Sequence, residues 1–373
     1  TYIQPKHELG ESPYRFNWQT PILLSSHNQD ILYLGGNKLH RSLNQGDDWT
    51  VISGDLTQGG KKGNVAFGTL TTISESPVQF GFIYTGSDDG YAYHSDDGGA
   101  SWNRISDELP QNLWVSRIIA SEHKKDRVYI TLNGYRNDDF KPYVYVSDDR
   151  GAHWKPIHSN LPDSPVNVIR EDLTNDQILY LGNDQGTFVS FDQGLKWQAF
   201  KNGLTTAAVH DLVIQPDVNH LLIGTHGRSI YKTDLSPIQG VNSEFLNKEI
   251  TFLEPKKIRA SKRWGTRNSS WRNFYEPKTS FTLFSKNSGV YQMKIKNDKG
   301  IVLYTQNATL DAGFNFVSYA LEKDAKGIIN YNRKNKKSPS EASKNGKHYL
   351  KKGTYSVEFT KGKFTSKAKL EVQ

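Results

Sequence analysis

The residues most able to do chemistry are carboxylates on short polar turns: Asp88, Asp89, Asp138, Asp139, Asp172 and Asp184. Two carboxyl groups facing each other across a substrate can hydrolyse a glycosidic bond, one as acid and the other as base or nucleophile. Each of the six also fits the plainer role of a solvated turn residue, and that reading outweighs the catalytic one. Ser87-Asp88-Asp89-Gly90 and Asn137-Asp138-Asp139 offer oxygens to Ca²⁺, but neither completes a calcium-loop pattern. His226 and Arg228 follow a glycine turn and form the one His–Arg pair placed for a pocket or packing role. There is no cysteine, hence no thiolate metal site and no disulfide. No P-loop, zinc spacing or nucleophile elbow occurs, so no cofactor is expected, Ca²⁺ being the one ion the oxygen clusters admit.

These turns belong to a repeat. Ser95, Asp97, Gly99 and Trp102 follow the pattern S-x-D-x-G-x-x-W. It returns as Ser147, Asp149, Gly151 and Trp154, and again as Ser190, Asp192, Gly194 and Trp197. An earlier copy, Ser42, Asn44, Gly46 and Trp49, has Asn in place of Asp. The tryptophans fall 53, 52 and 43 residues apart, a period suited to one propeller blade each. The Asp can accept backbone N–H bonds inside a hairpin turn, the Gly can take positive φ, and the Trp can anchor packing between sheets. A carboxylate used in this way by its own turn is structural.

Around each turn lie alternating strands: Ile31-Leu32-Tyr33-Leu34-Gly35, Phe82-Ile83-Tyr84-Thr85-Gly86 and Ile178-Leu179-Tyr180-Leu181-Gly182. One unit reads strand, strand, glycine turn, strand, S-x-D-x-G-x-x-W turn, strand. A fifth unit starts at Val209, and its turn signature has decayed to Thr233-Asp234-Leu235-Ser236-Pro237. The expected fold is all-β. Residues 1–239 form a β-propeller with five visible blade repeats, either a small closed ring or part of a six- to eight-bladed one. The opening Thr1-Tyr2-Ile3, without an initiator Met or signal-like stretch, reads as a processed or truncated start.

The repeat resembles the Asp-box, or BNR-repeat, propellers of sialidases, xyloglucanase-type glycoside hydrolases and sortilin/VPS10-like proteins. Tyr14-Arg15-Phe16-Asn17-Trp18, Gly224-Thr225-His226-Gly227-Arg228-Ser229-Ile230-Tyr231 and Phe252-Leu253-Glu254-Pro255 narrow the likeness. They are similar to the C-terminal part of large exported Bacteroidota proteins of the VPS10-like, BNR-repeat "glycosyl hydrolase" kind. The resemblance implies that the Asp-box lies on the outer rim, away from the central pocket. Sialidase chemistry would need three converging Arg and a Tyr–Glu pair, and the Arg of residues 1–239 sit in no matching motif.

Charge divides the chain. Residues 240–373 carry 27 Lys and Arg against 11 Asp and Glu, a balance of +16, so residues 1–239 carry −8 of the overall +8. The basic part can meet an acidic glycan, an anionic membrane surface or nucleic acid, although a solubilising Lys-rich surface is the plainer account. Residues 240–277 mix cations with Trp264, Trp271, Phe274 and Tyr275. That mixture can bind sugar or nucleic acid, and it equally fits a connector strapped over the propeller. From residue 278 to 373 the alternation resumes as an Ig-like β-sandwich, similar to the FlgD-type modules that follow such propellers. Its Gly353-Thr354-Tyr355 strand resembles the sorting domains of type IX secretion. The polar segment Asn332–Lys347 is expected as a mobile surface loop.

The expected function is an exported or cell-surface module, extracellular or periplasmic, that binds a protein or glycan or acts as a scaffold. A further chain or segment can complete the propeller; nucleic acid is not an expected partner, and no run is apolar enough to span a bilayer. The alternative is a sialidase- or xyloglucanase-like glycoside hydrolase with its acid and base on propeller loops.

Overall fold

Aromatic and β-branched residues alternating with polar ones, broken by Gly, Asn and Asp, favour short antiparallel strands. The computed structural model describes residues 3–62, 65–200, 204 and 206–373. They fall into two compact units, Thr1–Gln239 and Gly240–Gln373.

The first unit is a β-propeller series of five antiparallel sheets, each strand pairing with the next in sequence. Sheet one holds β1 (Ile22–Leu24), β2 (Leu32–Gly35), β3 (Leu39–Ser42) and β4 (Thr50–Val51). Sheet two holds β5 (Leu70–Glu75), β6 (Ile83–Ser87), β7 (Ala92–Ser95) and β8 (Asn103–Arg104). Sheet three holds β9 (Trp114–Ala120), β10 (Val128–Gly134), β11 (Asp139–Ser147) and β12 (Lys155–Pro156). Sheet four holds β13 (Val166–Glu171), β14 (Leu179–Asn183), β15 (Gly186–Ser190) and β16 (Gln198–Ala199). Sheet five has three strands, β17 (Val209–Gln215), β18 (His220–Thr225) and β19 (Ile230–Asp234), and ends in the short α1 (Ser236–Gln239). Tyr33, Tyr84, Tyr129 and Tyr180 occupy the second strands of the first four sheets and are fully buried.

One contact joins successive sheets at their outer edge. The indole N–H of Trp102 donates to the carbonyl of Ile52 (2.9 Å), that of Trp154 to Ile105 (2.7 Å) and that of Trp197 to Ile157 (2.6 Å). Trp49 reaches Ile3 in the same way, at 2.6 Å. The glycine of each turn lies flat on the same isoleucine. A Cβ on Gly99 would stand 2.9 Å from Ile52, and one on Gly151 or Gly194 would stand 2.8 Å from Ile105 or Ile157. Buried N–H groups need partners, so each hairpin is pinned to the sheet before it.

A second contact joins the inner edges. The glycines that close the expected Tyr strands are strand residues: Gly35 ends β2, while Gly86 and Gly182 lie inside β6 and β14. Their role is close approach. A Cβ on Gly86 would meet Val115 at 2.3 Å, and one on Gly182 would meet Val209 at 2.5 Å. The first strands of sheets two to five each carry a β-bulge, which leaves Thr71, Ser116, Asn167 and His210 out of register. Thr71 Oγ1 donates to the carbonyl of Val115, Ser116 Oγ to Val166 and Asn167 Nδ2 to Val209. His210 ends that series and packs on His226 instead. The first and last sheets keep apolar side chains in solvent, with Ile22 55% and Ile230 73% exposed.

The second unit has two antiparallel sheets around one core. The first is β20 (Ile250–Phe252), β21 (Thr279–Ser285) and β24 (Gly313–Tyr319); the second orders β23 (Val302–Leu310), β22 (Gly289–Asn297), β25 (Gly353–Lys361) and β26 (Phe364–Val372). Phe281, Leu283, Tyr291, Met293, Val357 and Phe359 meet between them. Residues 240–277 are therefore more than a connector: α2 (Ser243–Asn247) leads into β20, an edge strand, and Trp264 enters the core. The segment read as a loop from Asn332 begins inside α3 (Ala325–Lys334). Asp324 caps that helix at Gly327 N, and Gly327 lets it press on the carbonyl of Leu303.

Two adjacent glycines isolate the value of the outer contact. Gly98 (φ +72°) and Gly99 (φ +97°) both sit in left-handed backbone, but only Gly99 faces Ile52. Gly98→Ala is expected to cost the conformational penalty alone, and Gly99→Ala about 1–3 kcal/mol more, read from urea melts.

Burial also makes this unit acid-sensitive. It pushes His40 and His94 down to about 4, and His94 stacks on Tyr84 at 4.7 Å. Between pH 6.5 and 4 the unfolded chain binds more protons at these rings than the folded one, so stability falls as pH drops through that window. Replacing both with Gln should flatten the dependence of the urea midpoint on pH between 7 and 4.5.

Candidate functional site

The five first strands, β1, β5, β9, β13 and β17, all contribute to the wall of one cavity of about 680 Å³. The volume is in the range of small-ligand sites. Its charged lining comes from Arg117, Glu122, Arg170, Glu171, His210 and Asp211, along with Glu75.

Asp211 holds two guanidiniums. Arg117 Nη2 lies 2.8 Å and Arg170 Nη2 3.5 Å from the same Oδ1. Arg170 is further committed to main chain, donating from Nε to Leu212 O (2.8 Å) and from Nη1 to Ile169 O (3.2 Å). Burial lowers its pKa to about 10, and the neighbouring Arg117 acts in the same direction. Arg117 is less committed, because its buried Nε has no hydrogen-bond partner. One carboxylate shared by two guanidiniums makes this corner locally cationic, in a wall that carries four acidic side chains and two arginines in all.

The acidic residues divide into used and unused groups. Glu171 accepts from Ser121 Oγ (2.6 Å), Glu122 N (2.6 Å) and Tyr129 Oη (2.8 Å), which fixes the end of β13 against sheet three. Glu75 plays a thinner version of that part, accepting from Tyr33 Oη at 3.0 Å while its buried Oε2 has no partner. Glu122 lines the cavity and stays exposed to solvent. Desolvation by the wall raises its pKa, and the charge of Glu171 raises it further. It is the carboxyl in this wall whose protonated form the surroundings favour, as a general acid requires.

The carboxylates singled out in the sequence lie elsewhere. Asp88 is buried and accepts from Gly68 N and Thr69 N, both at 2.9 Å, and from Thr69 Oγ1 at 2.7 Å. Asp89 accepts from Gln58 N at 2.7 Å and from Ser87, and burial raises its pKa. Asp172 accepts from Thr174 N, Asn175 N, Tyr180 Oη and Gln239 Nε2. Asp138 is the left-handed cap of a short 3₁₀ turn, Asp139 accepts from Tyr143 Oη at 2.6 Å, and Asp184 accepts from Asn167 at 2.8 Å. None of the six lines the cavity. Among the described residues, no group of three or more His, Asp or Glu could hold a metal ion.

The hairpin carboxylates serve their turns. Asp97 accepts from Ser95 Oγ and Ser101 N, Asp149 from Ser147 Oγ and His153 N, and Asp192 from Ser190 Oγ and Lys196 N. Asn44 makes the same bonds to Ser42 Oγ and Asp48 N through its amide oxygen. The Ser101 hydroxyl bond, first, holds Asp97 down at about 2, and the Ser147 bond does the same for Asp149. His226 stacks on His210 (5.3 Å between ring centres) at the margin of the cavity, while Arg228 is exposed and outside its lining.

Arg117, Arg170, Glu122 and Asp211 were not candidates in the sequence. Their signal was a charge inside an apolar first strand, as in Val115-Ser116-Arg117-Ile118 and Val209-His210-Asp211-Leu212. The bulge beside Arg117 and Asp211 breaks the two-residue alternation, so periodicity alone does not say which face they take.

No family model matches the chain, and no curated protein matches it. Among solved structures, it is similar to an ancestral GH74 enzyme (14% identity, TM-score 0.47, 96% of this chain and 47% of that one). It is also similar to the GH74 xyloglucanase from Xanthomonas campestris (13%, 0.47, 95% and 56%). A third is PorZ, a bacterial surface component of the type-IX secretion system of Porphyromonas gingivalis (14%, 0.42, 95% and 51%). The chain thus spans about half the length of these proteins. Among the described residues, no helix is long and apolar enough to cross a membrane.

The two neighbouring acids should separate in a stability assay. Glu171→Gln, which disturbs two buried bonds and a partly buried one, is expected to cost about 1–3 kcal/mol. Glu122→Gln should leave the urea midpoint at pH 7 unchanged or raised, because ionised Glu122 is disfavoured in the folded state and the amide carries no charge.

Proposed function

We propose that this chain is a propeller binding module of the sortilin/VPS10-like kind, exported or displayed at the cell surface. Its ligand, a protein or glycan, seats in the central cavity. The single observation carrying this reading is the composition of that cavity. Its wall sets the Arg117 and Arg170 guanidiniums around Asp211, a polar recognition surface, while the turn carboxylates of the blades are taken up by protein hydrogen bonds. The Ser–Asp–Gly–Trp hairpins act as Asp-boxes that stiffen the module, and the second unit is an Ig-like domain of the FlgD type. A further blade, from another chain or segment, would seat on the open faces of the first and fifth sheets.

One observation favours hydrolysis as a second reading. Glu122 has the raised pKa of a proton donor and opens to the same cavity. A retaining or inverting glycosidase needs a second carboxylate facing it, and Glu75 and Asp211 are the other acids of the wall not saturated by hydrogen bonds.

A panel of polysaccharides, peptides and chromogenic glycosides, tested on the full chain, separates the two. Binding without turnover is expected, weakened at least about tenfold by Arg117→Gln, on the order of one charge-assisted bond. Turnover that disappears in Glu122→Gln would replace the binding reading with the hydrolytic one.

A further inference from the structure

The second unit carries a patch that the cavity does not explain. Between Glu254 and Glu276 the chain has seven Lys and Arg and no acidic residue. Part of this segment is a closed loop on a firm base. Trp264 is buried and meets Tyr349 edge-on at 6.1 Å. Gly265 N donates to Tyr275 O and Tyr275 N to Thr266 O, both at 2.8 Å, and Asn345 N donates to Gly265 O at 3.1 Å. Gly265 has φ +71°, and a Cβ there would meet Ser343 at 2.5 Å. The two strands of the loop are thereby clamped where they leave the core.

Beyond the clamp the loop turns outward. Arg267 Nη1 donates to Ser270 O at 2.9 Å and Arg272 N to Ser269 O at 3.2 Å. The tip presents Trp271 with 78% of its surface in solvent and no partner for its indole N–H among the described residues, and Tyr275 is half exposed. Each aromatic ring carries a guanidinium: Arg272 lies 5.1 Å from Trp271, Arg267 4.8 Å from Phe274 and Arg263 5.6 Å from Tyr275. Among the described residues none of these three arginines forms an ion pair, and Ser269 Oγ is a buried hydroxyl with no hydrogen-bond partner. Exposing a whole indole to water is costly, and three uncompensated cations beside it repel one another.

We propose that the Arg263–Tyr275 loop is a binding platform for an acidic polysaccharide. A pyranose ring offers a flat C–H face that lies on an indole, and its hydroxyls suit the exposed indole N–H. A uronate carboxylate or sulfate on the same chain takes the guanidinium fork in a bidentate pair. A bilayer is the poorer fit, because Trp271 stands between Ser270 and Arg272 with no aliphatic side chain beside it to insert. Neutral glycans would leave the charge unanswered, and a purely electrostatic partner would leave the indole unused. The site lies in the second unit, so its failure and that of the cavity reading are separately visible.

The test is binding of polygalacturonate to the full chain, with dextran, single-stranded DNA and anionic lipid vesicles as comparators. Binding to polygalacturonate but not dextran is expected, falling as salt rises. Trp271→Ala and the pair Arg267→Gln/Arg272→Gln should each weaken it at least about tenfold, the order expected for losing a stacked ring or charge-assisted bonds. Lys336→Gln/Lys337→Gln, which removes equal charge from exposed positions of the same unit, should change it less than about twofold. Circular dichroism and melting temperature verify that each variant is folded. Equal losses in the lysine and arginine pairs, or no loss in Trp271→Ala, would reduce the patch to general basicity. Tighter binding to DNA or vesicles would overturn the ligand class, and no binding to polygalacturonate would overturn the proposal.

Discussion

The architecture of the first unit depends on how one β-hairpin lies on the sheet before it. An indole N–H inside protein must find an acceptor, and here it takes the main-chain oxygen of an isoleucine in the outer edge of the preceding sheet. The ring can reach it only if the hairpin lies almost in contact with that isoleucine, so the turn position facing it has no room for a side chain. One hydrogen bond of this kind contributes only about 1 kcal/mol. Its importance is directional, because it sets spacing and rotation between sheets, and copies of the same bond give a radial series.

The inner edge obeys a related constraint with different residues. There a glycine in the second strand admits the valine of the next sheet, and a bulge turns a polar side chain toward that valine's carbonyl. The bulge also has a consequence for chemistry. It takes the residues after it out of strict alternation, and thus Arg117 and Asp211 come to the cavity wall. Structural need and a charged lining arise from the same irregularity, which is why the site lies on first strands rather than on the acidic turns.

The two units divide the charge between them, with acids consumed in turns and caps in the first and cations left uncompensated in the second. In the propeller, Asp88, Asp97, Asp149 and Asp172 saturate backbone donors that would otherwise be unpaired. In the sandwich, Lys296 and Lys367 share Glu358, and Lys347 pairs with Glu276 and Glu322, yet the loop around Trp271 keeps its arginines for its own rings.

What the sequence determined by itself was everything that repeats locally. The turn signature, the Tyr strands and the two-residue alternation report neighbours a few positions away, and they suffice for an all-β propeller series. Why Gly86 and Gly182 end those strands was not legible, because a glycine needed for close approach is indistinguishable in one chain from a glycine needed for positive φ. Strand β20 and the end of α3 were hidden for a like reason: Ile250–Phe252 is too short to show a period, and Asn332–Lys334 is polar on a helix that rests on Leu303 through Gly327. Only the tertiary structure decided which charges face one another. Arg117 and Asp211 are 94 positions apart, and no spacing along a chain encodes that two first strands of separate sheets turn toward a common axis.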